Sequence, residues 1–301
     1  MDNKVLLIAK NICLQFGEHI ILSDVNFQIN KIDDKAKIVS LVGTSGKGKT
    51  QLLRILAGLT KFDPPPITRS KFMKLVAKLI GHKEKQHVTG EVLIDKPFVT
   101  GEVLLGNEMV PVQEGNIGIV FQDYYMPKHL TVRSMWRIAA SKNKAFGGDK
   151  SKIEEAIDQI ATSFELTPHL DKYPVGGQLS GGQKQRANIA MLLLNGSDYI
   201  LMDEPFSGLD SLMIKKTLKL LRQIGVSQTN KTFIIVSHDL GNCIAISDTI
   251  FVLSDKGRTA NTGATIVAEI ELVKKGLAWN PDVKKMPAFQ QTIEEIESYF
   301  E

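Results

Sequence analysis

Apolar and polar positions change period several times along the chain, and each change marks an element. Ile38-Val39-Ser40-Leu41-Val42 is a β-branched, nearly unbroken apolar run, the pattern of a strand buried on both faces. A glycine-rich stretch follows, after which Leu52, Leu53, Leu56 and Ala57 fall on one helical face. Tyr199-Ile200-Leu201-Met202 is a second continuous apolar run and predicts another buried strand. Residues 1 to about 36 read as antiparallel strands, and residues 124–189 as a helical stretch, with a helix over Gln183–Leu194. Strands are also expected before Gln122 and His238. Near the end, Phe289, Ile293, Ile296 and Phe300 share one side of a closing amphipathic helix, expected to pack back on the core.

One segment interrupts this order. Asp63-Pro64-Pro65-Pro66 stops a helix and stiffens the chain. Beyond it Phe72, Leu75, Val76, Leu79 and Ile80 form one apolar face opposite Lys71, Lys74 and Lys78, with Gly81 as the stop. Residues 67–87 hold six Lys or Arg against one acid, whereas the whole chain is only +4, so the positive excess is local. Such a helix either packs on the domain with its lysines in water or lies on an anionic membrane or partner. Next to it Thr89-Gly90-Glu91-Val92-Leu93-Ile94 is echoed by Thr100-Gly101-Glu102-Val103-Leu104-Leu105, both reading as strands opened by a turn, the first as an addition to a small antiparallel sheet.

The candidate chemistry sits where strands end. Gly43-Thr44-Ser45-Gly46-Lys47-Gly48-Lys49-Thr50 has the form G-x-x-x-x-G-K-[ST] between a strand and a helix, the context of a phosphate loop. Glycines there let backbone N–H groups converge on an anion at a helix N-terminus. Lys49 is expected on the β- and γ-phosphates, and the Thr50 hydroxyl on Mg²⁺. The 199–202 run ends in Asp203-Glu204, at the edge facing the ligand crevice of an open α/β sheet. Asp203 is expected to hold Mg²⁺ through water, and Glu204 to polarise the attacking water.

With Leu179-Ser180-Gly181-Gly182-Gln183 added, the chain resembles the ATP-binding subunits of ABC transporters. The resemblance covers roughly residues 3–60 and 100–260. It implies an α/β fold, a P-loop NTPase core with a mainly parallel sheet, an antiparallel β subdomain and an inserted helical subdomain. It places an ATPase domain at 1–262, with an insertion at 63–99 and a helical signature subdomain at 124–189, then an extension at 263–301. By the same resemblance Gln122 contacts Mg²⁺ and the attacking water, His238 the γ-phosphate, and Phe16 stacks on adenine, although a lone Phe here also fits a core position. Ser180, Gly181, Gly182 and Gln183 bind the ATP of the opposite subunit, and Asp210 lies in the D-loop. The implied cofactors are ATP and Mg²⁺. The implied partners are a membrane-spanning permease and a second ATPase subunit, identical or related, joined head to tail on the cytoplasmic face of a membrane.

Departures from the family pattern are also visible. Gln51 stands where Ser or Thr usually follows the loop threonine, Lys47 adds a charge inside the loop, and the linker Tyr173–Gln178 is about two residues longer than the resemblance leads one to expect. The tail faintly resembles ATPases serving nitrate, sulfonate and taurine uptake.

Composition narrows the alternatives. At 43% hydrophobic residues the 301-residue chain has ample core, and no run approaches the roughly twenty apolar residues that span a bilayer. The start MDNKVLLIAK lacks a signal-peptide pattern. Two cysteines, Cys13 and Cys243, give neither a disulfide framework nor a metal pattern, and the modest charge does not argue for direct nucleic-acid binding. A soluble ABC ATPase acting on DNA or ribosomes stays open as an alternative, although no sustained heptads separate Thr50 from Leu179 and only one set of motifs is present.

Overall fold

The computed structural model describes residues 4–31, 35–60, 98–113, 115–123, 126–258 and 262–301. The basic helix expected around residues 71–81 and the first copy of the strand echo, 89–94, lie outside them.

Two sheets organise the chain. Strands β1 (Val5–Phe16), β2 (His19–Asn30), β4 (Phe98–Leu105) and β5 (Val110–Pro111) form an antiparallel sheet in the order β2-β1-β4-β5. The second sheet runs β10 (Thr265–Glu271), β9 (Thr249–Ser254), β3 (Lys37–Val42), β8 (Thr232–Ser237), β7 (Tyr199–Asp203), β6 (Gly118–Val120). Only β10 is antiparallel to its neighbour; the other pairings are parallel.

Every residue of β3, β8 and β9 is buried, which is why these segments read as apolar runs and not as alternating strands. Alternation survives in where the side chains go. Val39, Leu41, Leu201, Ile234, Val236, Phe251 and Leu253 join the core cluster shared with the antiparallel sheet and helix α1 (Lys49–Leu56). Their neighbours Ile38, Val42, Ile200, Met202, Phe233, Ile235, Ile250 and Val252 join the opposite cluster. That second core is completed by helices α2 (Val132–Ser141), α3 (Lys150–Ser163), α4 (Gly181–Leu194), α5 (Ser211–Ser227) and α6 (Leu240–Ile246).

Three sequence expectations shift. The signature helix begins at Gly181 and not at Gln183, because Ser180 caps it: the Gln183 N–H donates to Ser180 Oγ at 3.3 Å while the Ser180 N–H donates to Gln183 Oε1 at 2.8 Å. Strand β9, which no motif marks, completes the parallel core beside β3. The segment after residue 263 contributes the edge strand β10, and its closing helix α7 (Pro287–Glu297) buries Phe289, Thr292 and Ile296 against the sheet's second core.

Candidate active site

The parallel register brings the motifs to one edge. Val42 pairs with Ser237 across β3 and β8, and Asp203 pairs with Val236 across β7 and β8, so the phosphate loop, Asp203-Glu204 and Ser237-His238 leave the sheet side by side. Gln122 follows β6, whose Val120 pairs with Met202.

The loop is shaped for close approach. A Cβ at Gly43 would stand 2.6 Å from the Leu253 carbonyl oxygen, and Gly48 has φ +85°. Thr44, Ser45 and Gly46 form the exposed tip, and Gln51 is half-buried in the first turn of α1. The Lys49 ammonium is folded into the loop, donating to the Gly43 and Thr44 carbonyls at 2.8 and 3.0 Å, and burial lowers its pKa. Lys47 instead pairs with Asp255 just after β9, at 2.7 Å.

Two adjacent carboxylates have different surroundings. Asp203 ends β7 inside the strand; it is buried, accepts from Thr50 Oγ1 at 3.2 Å, and burial raises its pKa. Glu204 has φ +47°, which swings its side chain toward the end of β8. There Glu204 Oε2 accepts from Ser237 Oγ at 2.8 Å, Oε1 accepts from the His238 backbone N–H at 3.1 Å, and Oε1 lies 2.9 Å from His238 Nδ1. The His238 ring itself is largely exposed.

Gln122 donates to Ser207 Oγ at 3.5 Å, linking the residue after β6 to the segment before Asp210. Asp210 caps α5, accepting from the Leu212 and Met213 N–H groups. Phe16, at the end of β1, packs partly buried against the core cluster shared by the two sheets. Among the described residues no hydrogen bond joins Ser180–Gln183 to the phosphate loop. The Gln183 amide reaches His169 Nε2 at 2.9 Å, and the signature's second glycine lies against Met213 of α5.

Gln185 carries a link that the motifs do not reveal. Its buried amide donates to the Pro205 carbonyl and accepts from Thr217 Oγ1 at 3.2 Å, tying α4 both to the turn after Glu204 and to α5. The only sequence signal is a polar side chain on a helix that is otherwise buried on that face. Cys243 is fully buried with its thiol pushed up to about 12, an inert group.

This fold and these loops define a phosphate-loop NTPase cassette. A family model described as ABC transporter matches residues 22–207, and the chain belongs to that family. Relatives include a sulfate/thiosulfate import ATP-binding protein CysA from Synechocystis sp., 30% identical over 83% of this chain and 58% of its own length. A spermidine/putrescine import ATP-binding protein PotA from Protochlamydia amoebophila is 32% identical over 86% of this chain and 58% of its own. A maltose/maltodextrin import ATP-binding protein MalK from Yersinia pestis bv. Antiqua is 33% identical over 82% of this chain and 55% of its own. The chain thus spans 55 to 58% of the length of these relatives. Among solved structures, a dimeric bacterial ABC transporter cassette aligns over 89% of this chain and 99% of its own, with TM-score 0.60 and 22% identity. A post-hydrolysis cassette bound to ADP and Pi aligns over the same shares with TM-score 0.58 and 21% identity. Both show the fold.

Proposed function

We propose that this chain binds ATP at the phosphate loop and hydrolyses it, and that two cassettes closing head to tail use the cycle to drive a membrane-spanning permease from its cytoplasmic face. The observation that carries the reading is the position of Glu204, set beyond the end of β7 by a left-handed backbone and held by Ser237 and His238, next to the pair formed by Asp203 and Thr50.

Lys49, withdrawn from water, supplies a concentrated positive charge at the loop, while the loop N–H groups and the start of α1 orient the phosphates. Glu204 accepts a proton from the attacking water as the new P–O bond forms and the bond to the β-phosphate oxygen breaks. Ser237 and the His238 N–H keep that carboxylate aimed. The hard oxygens of Thr50 and Asp203, 3.2 Å apart, fit Mg²⁺, with Gln122 just beyond the end of the neighbouring strand β6, and the ion would supply charge to the phosphate oxygens. Ser180 and Gly181 are exposed at the start of α4, away from any hydrogen bond to this chain's own phosphate loop among the described residues, which supports the head-to-tail dimer.

The relatives' printed names support import, but they name sulfate or thiosulfate, polyamines and maltose, so cargo does not follow from likeness. Among the described residues no helix is long and apolar enough to cross a membrane.

Glu204→Gln tests the proposal. The variant is expected to hold ATP, to lose about 100-fold or more in turnover, and to sediment as a dimer only with ATP. Near-normal hydrolysis removes Glu204 as the base. An ATP-loaded variant that stays monomeric and copurifies with no permease from native membranes overturns the transport reading.

A further inference from the structure

Helix α5 carries cations on one face at helical spacing, Lys215, Lys219 and Arg222, and the tail brings Lys284 and Lys285 to the same place. Together they line a cavity of about 520 Å³ between α5, α6 and residues 281–285. The cavity lies within the range of small-molecule sites. Its one lining carboxylate, Asp282, is already paired with Lys285 at 2.7 Å.

Like charges one turn apart repel, so such a stripe is unfavourable without an anion. Some cations elsewhere in the described residues have carboxylate partners, Arg133 and Arg137 on Glu154, Lys216 on Glu165 and Lys231 on Asp198, whereas five cations line this hollow with Asp282 alone among them. Among the described residues no hydrogen bond or ion pair holds the side chain of Lys215 or Lys219, and the nearby Glu165 is occupied by Lys216.

The walls are built and not loose. Arg222 Nη2 donates to the Ala245 carbonyl at 2.6 Å and the Asn280 carbonyl at 3.4 Å, bridging α6 and the tail, while its buried Nε has no hydrogen-bond partner. Lys284 is fixed by Asn242 Oδ1 at 2.8 Å. Trp279, just before this wall, donates to Asp248 and packs on Gly225 of α5.

We propose that this cavity is a second anion site, distinct from the phosphate loop, for a small polyvalent oxyanion such as a phosphorylated metabolite. Several ammonium groups around a pre-formed hollow suit a multiply charged phosphate, which neutralises them together. The cavity lies at the side of α5 and α6, the helices that begin at Asp210 and Asp239, so the bound anion would tie the tail to both.

Titration calorimetry with inorganic pyrophosphate on the full chain, saturated with ADP, is expected to show one site. The same site is expected in Lys49→Ala, where the phosphate loop is disabled. Neutralising the exposed Lys215 and Lys219 together to Gln is expected to weaken it at least tenfold. Neutralising Lys150 and Lys152 to Gln, equally exposed and equal in charge, is expected to leave it unchanged. The proposal is overturned by absent binding, by binding that disappears both with ADP and in Lys49→Ala, by indifference to the Lys215 and Lys219 changes, or by equal weakening in the two double variants.

Discussion

Single residues divide the labour at the site by where their backbone stops being a strand. Asp203 still belongs to β7, so its carboxyl is buried beside Thr50, whereas Glu204 has turned to φ +47° and faces the end of β8. A non-glycine residue in that region costs of order 1 kcal/mol, a cost accepted at functional positions. Adjacency in sequence therefore hid two separate environments. Lys49 is the residue whose loss should be felt most simply. Its ammonium is desolvated on the Gly43 and Thr44 carbonyls, so Lys49→Ala is expected to lower ATP affinity about 10- to 100-fold, the worth of a hydrogen bond to a charged group. Equilibrium dialysis with labelled ATP measures it, and an unchanged affinity contradicts the cradle. The candidates of the phosphate loop, the acid pair and the signature were legible because they stand in spaced motifs, whereas Phe16 rested on resemblance and packs partly buried against the core. Gln185 was not legible, since its importance comes from reaching Pro205 and Thr217, neither of which is near it in sequence.

Elements add what residues cannot. Helix α4 starts two positions before its apolar pattern does, because the Ser180 and Gln183 capping box outweighs the poor helix propensity of two glycines. Helices α2 and α3 are held by Arg133 and Arg137 closing on Glu154. Hydrogen bonding from Arg137 keeps the Glu154 carboxyl below the ordinary glutamate range. A depressed acid stabilises the fold above its unfolded pKa and loses that contribution as pH falls through the native one. Glu154→Gln is thus expected to lower the thermal midpoint slightly at pH 7, with the gap to the parent closing as the pH drops below about 4, where the ordinary carboxyl takes up its proton. A gap that persists in acid assigns the effect to packing. The spacing between the two helices offers no hint of this clamp; it arises from how they cross.

Across the whole molecule, the tail proves part of the body. Strand β10 extends the main sheet, and Trp279 donates to Asp248 Oδ1 at 2.5 Å, while Asp248 Oδ2 accepts from the Ile38 N–H at 2.7 Å. The ring also lies under the Lys35 ammonium, 5.1 Å from its centroid. The edge of its six-membered ring meets Gly225, where any added Cβ would collide with it. Gly225→Ala is therefore expected to displace Trp279 and destabilise the protein by about 1–3 kcal/mol. A urea melt reads this as a lower midpoint, and an unshifted midpoint means that the tail yields at no cost. The periodicity of the closing helix indicated that it would pack on the core. It could not indicate which wall the segment before it would build.

The sequence by itself determined the local pieces: the buried strand of 38–42, the glycine loop, the acid pair at the end of 199–202 and the signature. These depend on side-chain period and on spacings of a few residues, which operate within one element. Only the tertiary structure decided that β8 lies between β3 and β7, that Ser237 and His238 reach Glu204, and that the tail faces α5 across a cationic hollow. Those results depend on register between strands far apart in the chain and on which faces share a core, and no local pattern encodes either.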